Sequence, residues 1–294
     1  MLTGIKNNKI DILKSPIGVF QNLVVRIIRE LSMVGKFSLN HKTKNNRIPI
    51  KTKMMKTQII STTIIFFSLL FMACENTETI IPNDNIITQQ HFYSDYDRIE
   101  TEGAFTVYVE FSDTEESIEI EANDNLHQYI EVKKEGSALK IGFRDNINIT
   151  GSATLVAHVT TKKVTDYAAS GASQFFINEL SAEDVSIFLS GASQFSGEVY
   201  VMNLSAELSG ASVVHLLGEA ETTDFTASGA SIIGGFEYST EILNVNFSGA
   251  SMLSITVNDE LDVTASGASI ISYKGTGVVK SQNLSGESKI FKVD

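Results

Sequence analysis

The chain has 294 residues, 43% hydrophobic and 20% charged, with one cysteine and a formal net charge of -12; that length and apolar content suffice for one large core. Residues 1–53 carry eleven Lys/Arg against Asp11 and Glu30, whereas residues 74–294 carry eleven against 33 Asp/Glu, a net of -22. A lone cysteine excludes a disulfide framework and a thiolate zinc cage, and so acidic a body excludes a nucleic-acid binder, which needs clustered Lys and Arg to neutralise phosphates.

In chain order, residues 1–53 do not fit a secretion signal, because an n-region of fifty residues far exceeds what the motif needs. They read as a mis-called upstream extension or unstructured segment, with translation starting at Met54 or Met55. From Ile59 to Ala73 the chain is uncharged, preceded by Lys51, Lys53 and Lys56 and followed at once by Cys74. A basic stretch and an apolar run too short to span a bilayer read as a signal peptide over 54–73. Leu70-Phe71-Met72-Ala73-Cys74 resembles a bacterial lipobox, with Phe71 departing from the usual aliphatic residue. The resemblance implies a lipid on Cys74, membrane attachment as a partner, and an envelope location, most simply the outer membrane. Residues 74–91 are polar, contain Pro82 and lack periodicity, so they are expected to be a flexible tether.

Strand-forming runs follow at 104–111, 117–121, 130–134, 138–143 and 154–159, with Gly136 in a hairpin turn. Then Ser-Gly-Ala-Ser recurs, beginning at Ser170, Ser190, Ser209, Ser228, Ser248 and Ser266, and as Ser-Gly-Glu-Ser at Ser285. The steps are 20, 19, 19, 20, 18 and 19 residues. So steady a period predicts a solenoid. Before each motif, apolar residues stand at alternate places, as in Val185, Ile187 and Leu189, and another stands two places after it, as in Phe175 and Phe195; both are strand patterns. The fold class is therefore all-β, a β-helix of roughly 19-residue rungs over 92–294 with N-terminal strands capping the first rung. No proline follows Pro82, as expected where nearly every N–H pairs with a neighbouring rung. Whether the motif is a tight bend or a continuous strand stays open at this stage.

These residues resemble the putative auto-transporter adhesin, head GIN domain family. The resemblance rests on Arg98-Ile99-Glu100 with Gly103 and Val107, the hairpin from Gly136 to Ile141, the serial motifs, and Ile271-Ser272-Tyr273-Lys274-Gly275. It implies a β-helical domain of envelope proteins and lipoproteins and brings no catalytic residues or cofactor.

The residues offer three kinds of site. No motif has the second glycine of a nucleophile elbow, so the serines read as a stacked ladder of hydroxyls rather than nucleophiles. Asp224 and Asp262 share a column two rungs apart, about 9.6 Å, within the upper range for an inverting glycosidase pair; a carbohydrate-cleaving β-helix is the alternative function. Val213, Ile232, Met252 and Ile270 directly follow four of the motifs and are expected to form an outward apolar stripe, a possible surface for a partner or a second copy. The leading expectation is non-enzymatic binding or adhesion, with a glycan or protein ligand.

Overall fold

Alternate apolar residues make strands with one buried face, and a glycine corner every rung turns the chain back over itself so that each strand can pair with the one a rung earlier. In a computed structural model that describes Glu78–Asp294, the strands of the N-terminal part are β1 (Glu78–Ile80), β2 (Ile86–His91), β3 (Arg98–Thr101), β4 (Thr106–Phe111), β5 (Ser117–Asn123), β6 (Ile130–Glu135), β7 (Ala138–Phe143), β8 (Ile147–Ile149) and β9 (Leu155–Thr161). The repeats supply β10 (Asp166–Ala169), β11 (Gln174–Leu189), β12 (Gln194–Leu208), β13 (Val213–Ala227), β14 (Ile232–Gly234), β15 (Tyr238–Phe247), β16 (Met252–Ala265), β17 (Ile270–Lys274), β18 (Val278–Leu284) and β19 (Lys289–Lys292). The expectations for residues 1–77, the leader and Cys74 among them, lie outside the described residues.

Two parallel walls meet at the corners. The strand segments before each corner stack in the order β7, β3, β10, β11, β12, β13, β15, β16, β18. Those after it stack as β9, β4, β11, β12, β13, β14, β16, β17, β19. The inward residues fill the space between the walls: Val185, Ile187, Leu204 and Ala206 from the first, Phe175, Phe195, Val214 and Leu253 from the second, all buried. Tyr167 packs edge-on against Phe175 and Phe195 and donates its hydroxyl to the Val164 carbonyl at 2.9 Å, so burial raises its phenol pKa without leaving the group unpaired. Higher up, Thr223 bonds Tyr238 and Thr240 in a second buried polar cluster.

The motif is a bend. Its glycines have φ between +69° and +83°, a conformation that costs an L side chain roughly 1–2 kcal/mol. At Gly229 a Cβ would also drive into the carbonyl oxygen of Gly210, one rung below. Glycine serves both demands at once. The parallel ladder continues through the bend: Ala230 N donates to Gly210 O at 2.7 Å and Ile232 N to Ser212 O at 2.9 Å.

The structure corrects one expectation. The tether assigned to 74–91 is paired strand from Glu78 onward, because β1 runs parallel to β8 and β2 antiparallel to β5. These are edge strands wetted on both sides, which is why they show no apolar alternation. In addition, the region before the repeats holds one more corner, Glu102-Gly103-Ala104-Phe105, whose Gly103 and Phe105 carbonyls accept from Ala172 and Gln174 at 2.7 and 2.8 Å. Phe105 is fully buried there in place of the second serine and packs on Phe143. The N-terminal cap is as expected: β6 covers β7, and β5 covers β9, in antiparallel pairing that ends the parallel stack.

Gly229→Ala is expected to lose about 2 kcal/mol or more, from φ strain and the displaced rung, whereas Ala230→Ser, at an exposed corner position, should stay within about 0.5 kcal/mol of wild type. Chemical denaturation of the two variants checks this; equal midpoints would rule out the glycine column as a fold determinant.

Candidate functional site

Each position of the motif has its own environment. The second serines, Ser193, Ser212, Ser231, Ser251 and Ser269, are fully buried, and each donates its Oγ to the carbonyl of the first serine of the same corner at 2.8–3.1 Å. The expected ladder of hydroxyls along the column is therefore a set of bonds within rungs, because that carbonyl lies nearer than the next hydroxyl. Buried donors of this kind are closed to a substrate. The first serines stay on the surface: Ser170, Ser190, Ser209 and Ser228 are half-buried at the edge of the first wall.

Asp224 and Asp262 do share an outward column, with Asn244 directly between them in register. Asn244 Nδ2 donates to Asp224 Oδ1 at 2.7 Å. The space in which a hydrolytic water and a sugar ring would have to sit holds that amide instead. Both aspartates are exposed on the sheet surface.

Val213, Ile232, Met252 and Ile270 also form one column by strand register. Ile232, Met252 and Ile270 are 38%, 43% and 38% exposed and Val213 is half-buried, while the next residue of each rung, as in Ile233 and Leu253, is buried. The stripe is thus an outward apolar row on the second wall.

A concavity lies elsewhere. Along the outer face of the first wall, where that sheet continues through β7 to β6, runs a groove of about 810 Å³, bordered from Arg98 to Ser228. Its floor is one outward column, Lys140, Glu100, Ala168, Phe188, Glu207 and Thr226. An alternating ionic chain crosses the hairpin end: Arg98–Glu100 at 2.7 Å, Glu100–Lys140 at 3.5 Å, Lys140–Glu135 at 2.8 Å, Glu135–Lys133 and Lys133–Glu131 at 3.0 Å. The ammonium groups of Lys140 and Lys133 hold the Glu135 carboxyl below its ordinary range, and Glu131 with Glu135 raises the Lys133 ammonium. The Arg98 guanidinium lies 5.5 Å over the Phe188 ring, and Arg144 reaches Glu78 on the N-terminal strand β1. Sequence reading passed over this site, since its residues are up to 130 positions apart. One signal pointed to it: seven of the eleven Lys/Arg beyond residue 73 fall between Arg98 and Lys163, and none between Lys163 and Lys274.

The architecture is a two-walled parallel solenoid with an antiparallel cap and a groove along the outer face of its first wall, a fold of the adhesin-like class. The chain belongs to the putative auto-transporter adhesin, head GIN domain family, which matches residues 95–277. Solved structures share the fold. A protein described as a putative adhesin from Bacteroides fragilis aligns with TM-score 0.66 at 16% identity over 73% of this chain and 100% of its own. One described as a putative lipid binding protein from Parabacteroides distasonis aligns with TM-score 0.62 at 20% identity, over 74% and 100%. No curated protein matches the chain. The family ties the chain to the cell envelope or surface.

Because Ile232 faces solvent and Ile233 faces the core, Ile232→Lys should leave the thermal midpoint near wild type, while Ile233→Lys, which buries an unpaired charge, should prevent cooperative folding. Circular dichroism melts of both distinguish the faces; loss of folding in Ile232→Lys would remove the stripe as a surface.

Proposed function

We propose that this protein is an envelope lipoprotein, anchored through a lipid on Cys74 and placed in the outer membrane, whose β-helix binds a glycan or protein ligand without turning it over. The observation that carries the binding reading is the groove beside the first wall, together with membership of an adhesin-like family. A relative of the same fold described as lipid binding is compatible with a membrane setting. Against the alternative, a polysaccharide-cleaving enzyme using Asp224 and Asp262, stands the Asn244 amide between the two carboxylates. Anchoring also fits the fold: only three residues separate Cys74 from Glu78, so a lipid there keeps the start of β1 within about 14 Å of the bilayer surface. A second reading, self-assembly of two copies, is favoured by the exposed Val213–Ile270 row.

Three measurements test these statements. Cell fractionation should find the wild type in membranes and Cys74→Ala in the soluble fraction; a Cys74→Ala protein that stays membrane-bound removes the anchor. Incubation with a polysaccharide panel, followed by mass spectrometry, should release no oligosaccharides, and release that disappears in Asp224→Asn would make the protein a glycosidase. Sedimentation of wild type and Ile232→Lys reads the second reading directly, since a dimer dissociated by the lysine supports it and a wild-type monomer excludes it.

A further inference from the structure

The groove along the outer face of the first wall, which reaches β7 and β6 at its N-terminal end, has three properties that together restrict its occupant. It is long: its floor column crosses six levels from Lys140 on β7 to Thr226 on β13, which at about 4.8 Å per level is about 24 Å. It is electrically balanced: four cations, Arg98, Lys133, Lys140 and Arg144, meet five carboxylates on its walls, in a body whose net charge is -22. And its walls mix fixed planar polar groups with one accessible ring. Arg98, Glu100, Lys140 and Glu135 hold one another in place, and Phe188 lies half-buried between Ala168 and Glu207 on the floor.

The far wall repeats a hydroxyl. Ser170, Ser190, Ser209 and Ser228 all border the groove, one per rung. The corner itself explains the glycine and the second serine of the motif, but the first serine has a weaker structural role: Ser209 and Ser228 Oγ reach the carbonyl one rung below only at 3.4 and 3.5 Å. At those lengths the hydroxyl loses little by turning to another partner.

We propose that this groove binds an extended segment of an uncharged glycan along the solenoid axis, which rests on the binding reading above and assigns it a site. Sugar hydroxyls are paired donors and acceptors, matched by planar guanidinium and carboxylate groups that are already held in position; the apolar face of a pyranose ring rests on Phe188; and the serine row follows the chain from rung to rung. A polyanion is disfavoured by the balanced walls and the acidic body around them. A lipid acyl chain would strip water from Glu100, Lys140 and Glu207 with nothing to replace it.

The test uses the full-length protein in detergent, titrated calorimetrically with neutral hexasaccharides of glucose, mannose, galactose and N-acetylglucosamine, with oligogalacturonate, and with phosphatidylethanolamine–phosphatidylglycerol vesicles. At least one neutral hexasaccharide is expected to bind, with affinity at least tenfold weaker in Phe188→Ala and in the surface variant Glu207→Lys, both retaining the wild-type melt, and unchanged in Ile232→Lys on the other wall. Binding that ignores both groove variants would overturn the groove and leave the binding reading standing on another surface. Binding of oligogalacturonate or vesicles alone, or of no neutral hexasaccharide, overturns the proposal; adhesion to isolated envelopes that persists in that case shows that the broader reading survives it.

Discussion

Everything in this molecule depends on keeping a parallel hydrogen-bond ladder unbroken around a sharp corner. Parallel strands need a long connection to return to register, which a whole rung of about 19 residues supplies here, and where the chain bends in four residues between the walls the N–H groups on both sides and in the middle of the turn still find the rung below. Ala250 N donates to Gly229 O at 2.7 Å, and Met252 N to Ser231 O at 2.9 Å. The approach is so close that only hydrogen fits at the glycine, and the backbone angle is one that only glycine adopts freely. The buried serine closes the remaining account of polar groups by bonding the carbonyl three residues back. Given that corner, the alternating residues on either side are forced to face the same interior.

How much of this could be read in advance follows from whether a signal is local and repeated. The solenoid, its rung length and the inward positions were legible because the same demand is imposed seven times, so that a single exception such as the buried Thr223 does not hide it. The corner at Gly103 was not, although it obeys the same geometry, because Phe105 replaces the buried serine and Glu102 the first; only the glycine and alanine remain, too little to stand out. Strands β1 and β2 escaped for a different reason. An edge strand with water on both faces has no apolar period, and its partner strands β8 and β5 lie about 70 and 30 residues away.

The candidate site divides the same way. The apolar row from Val213 to Ile270 and the aspartate column follow from register alone, and the structure places both where counting along the repeat put them. What counting could not supply was the amide of Asn244 reaching across to Asp224, or the β6–β7 hairpin continuing the first wall at its N-terminal end. A groove made by residues as distant as Arg98, Arg144 and Ser228 is a property of topology. Its only trace in the sequence is the crowding of cations into the cap region of an otherwise acidic chain.

The rungs touch only their immediate neighbours, and the groove reaches no farther than the end of β13 and its corner at Ser228. The three later turns, β14 to β19, therefore extend the molecule without contributing to the groove. A gene encoding such a chain can gain or lose a whole repeat near its 3′ end and change the reach of the protein while the groove stays the same. Length and selectivity are separately heritable traits in this architecture, because one is set by how many turns are stacked and the other by what stands beside the first few.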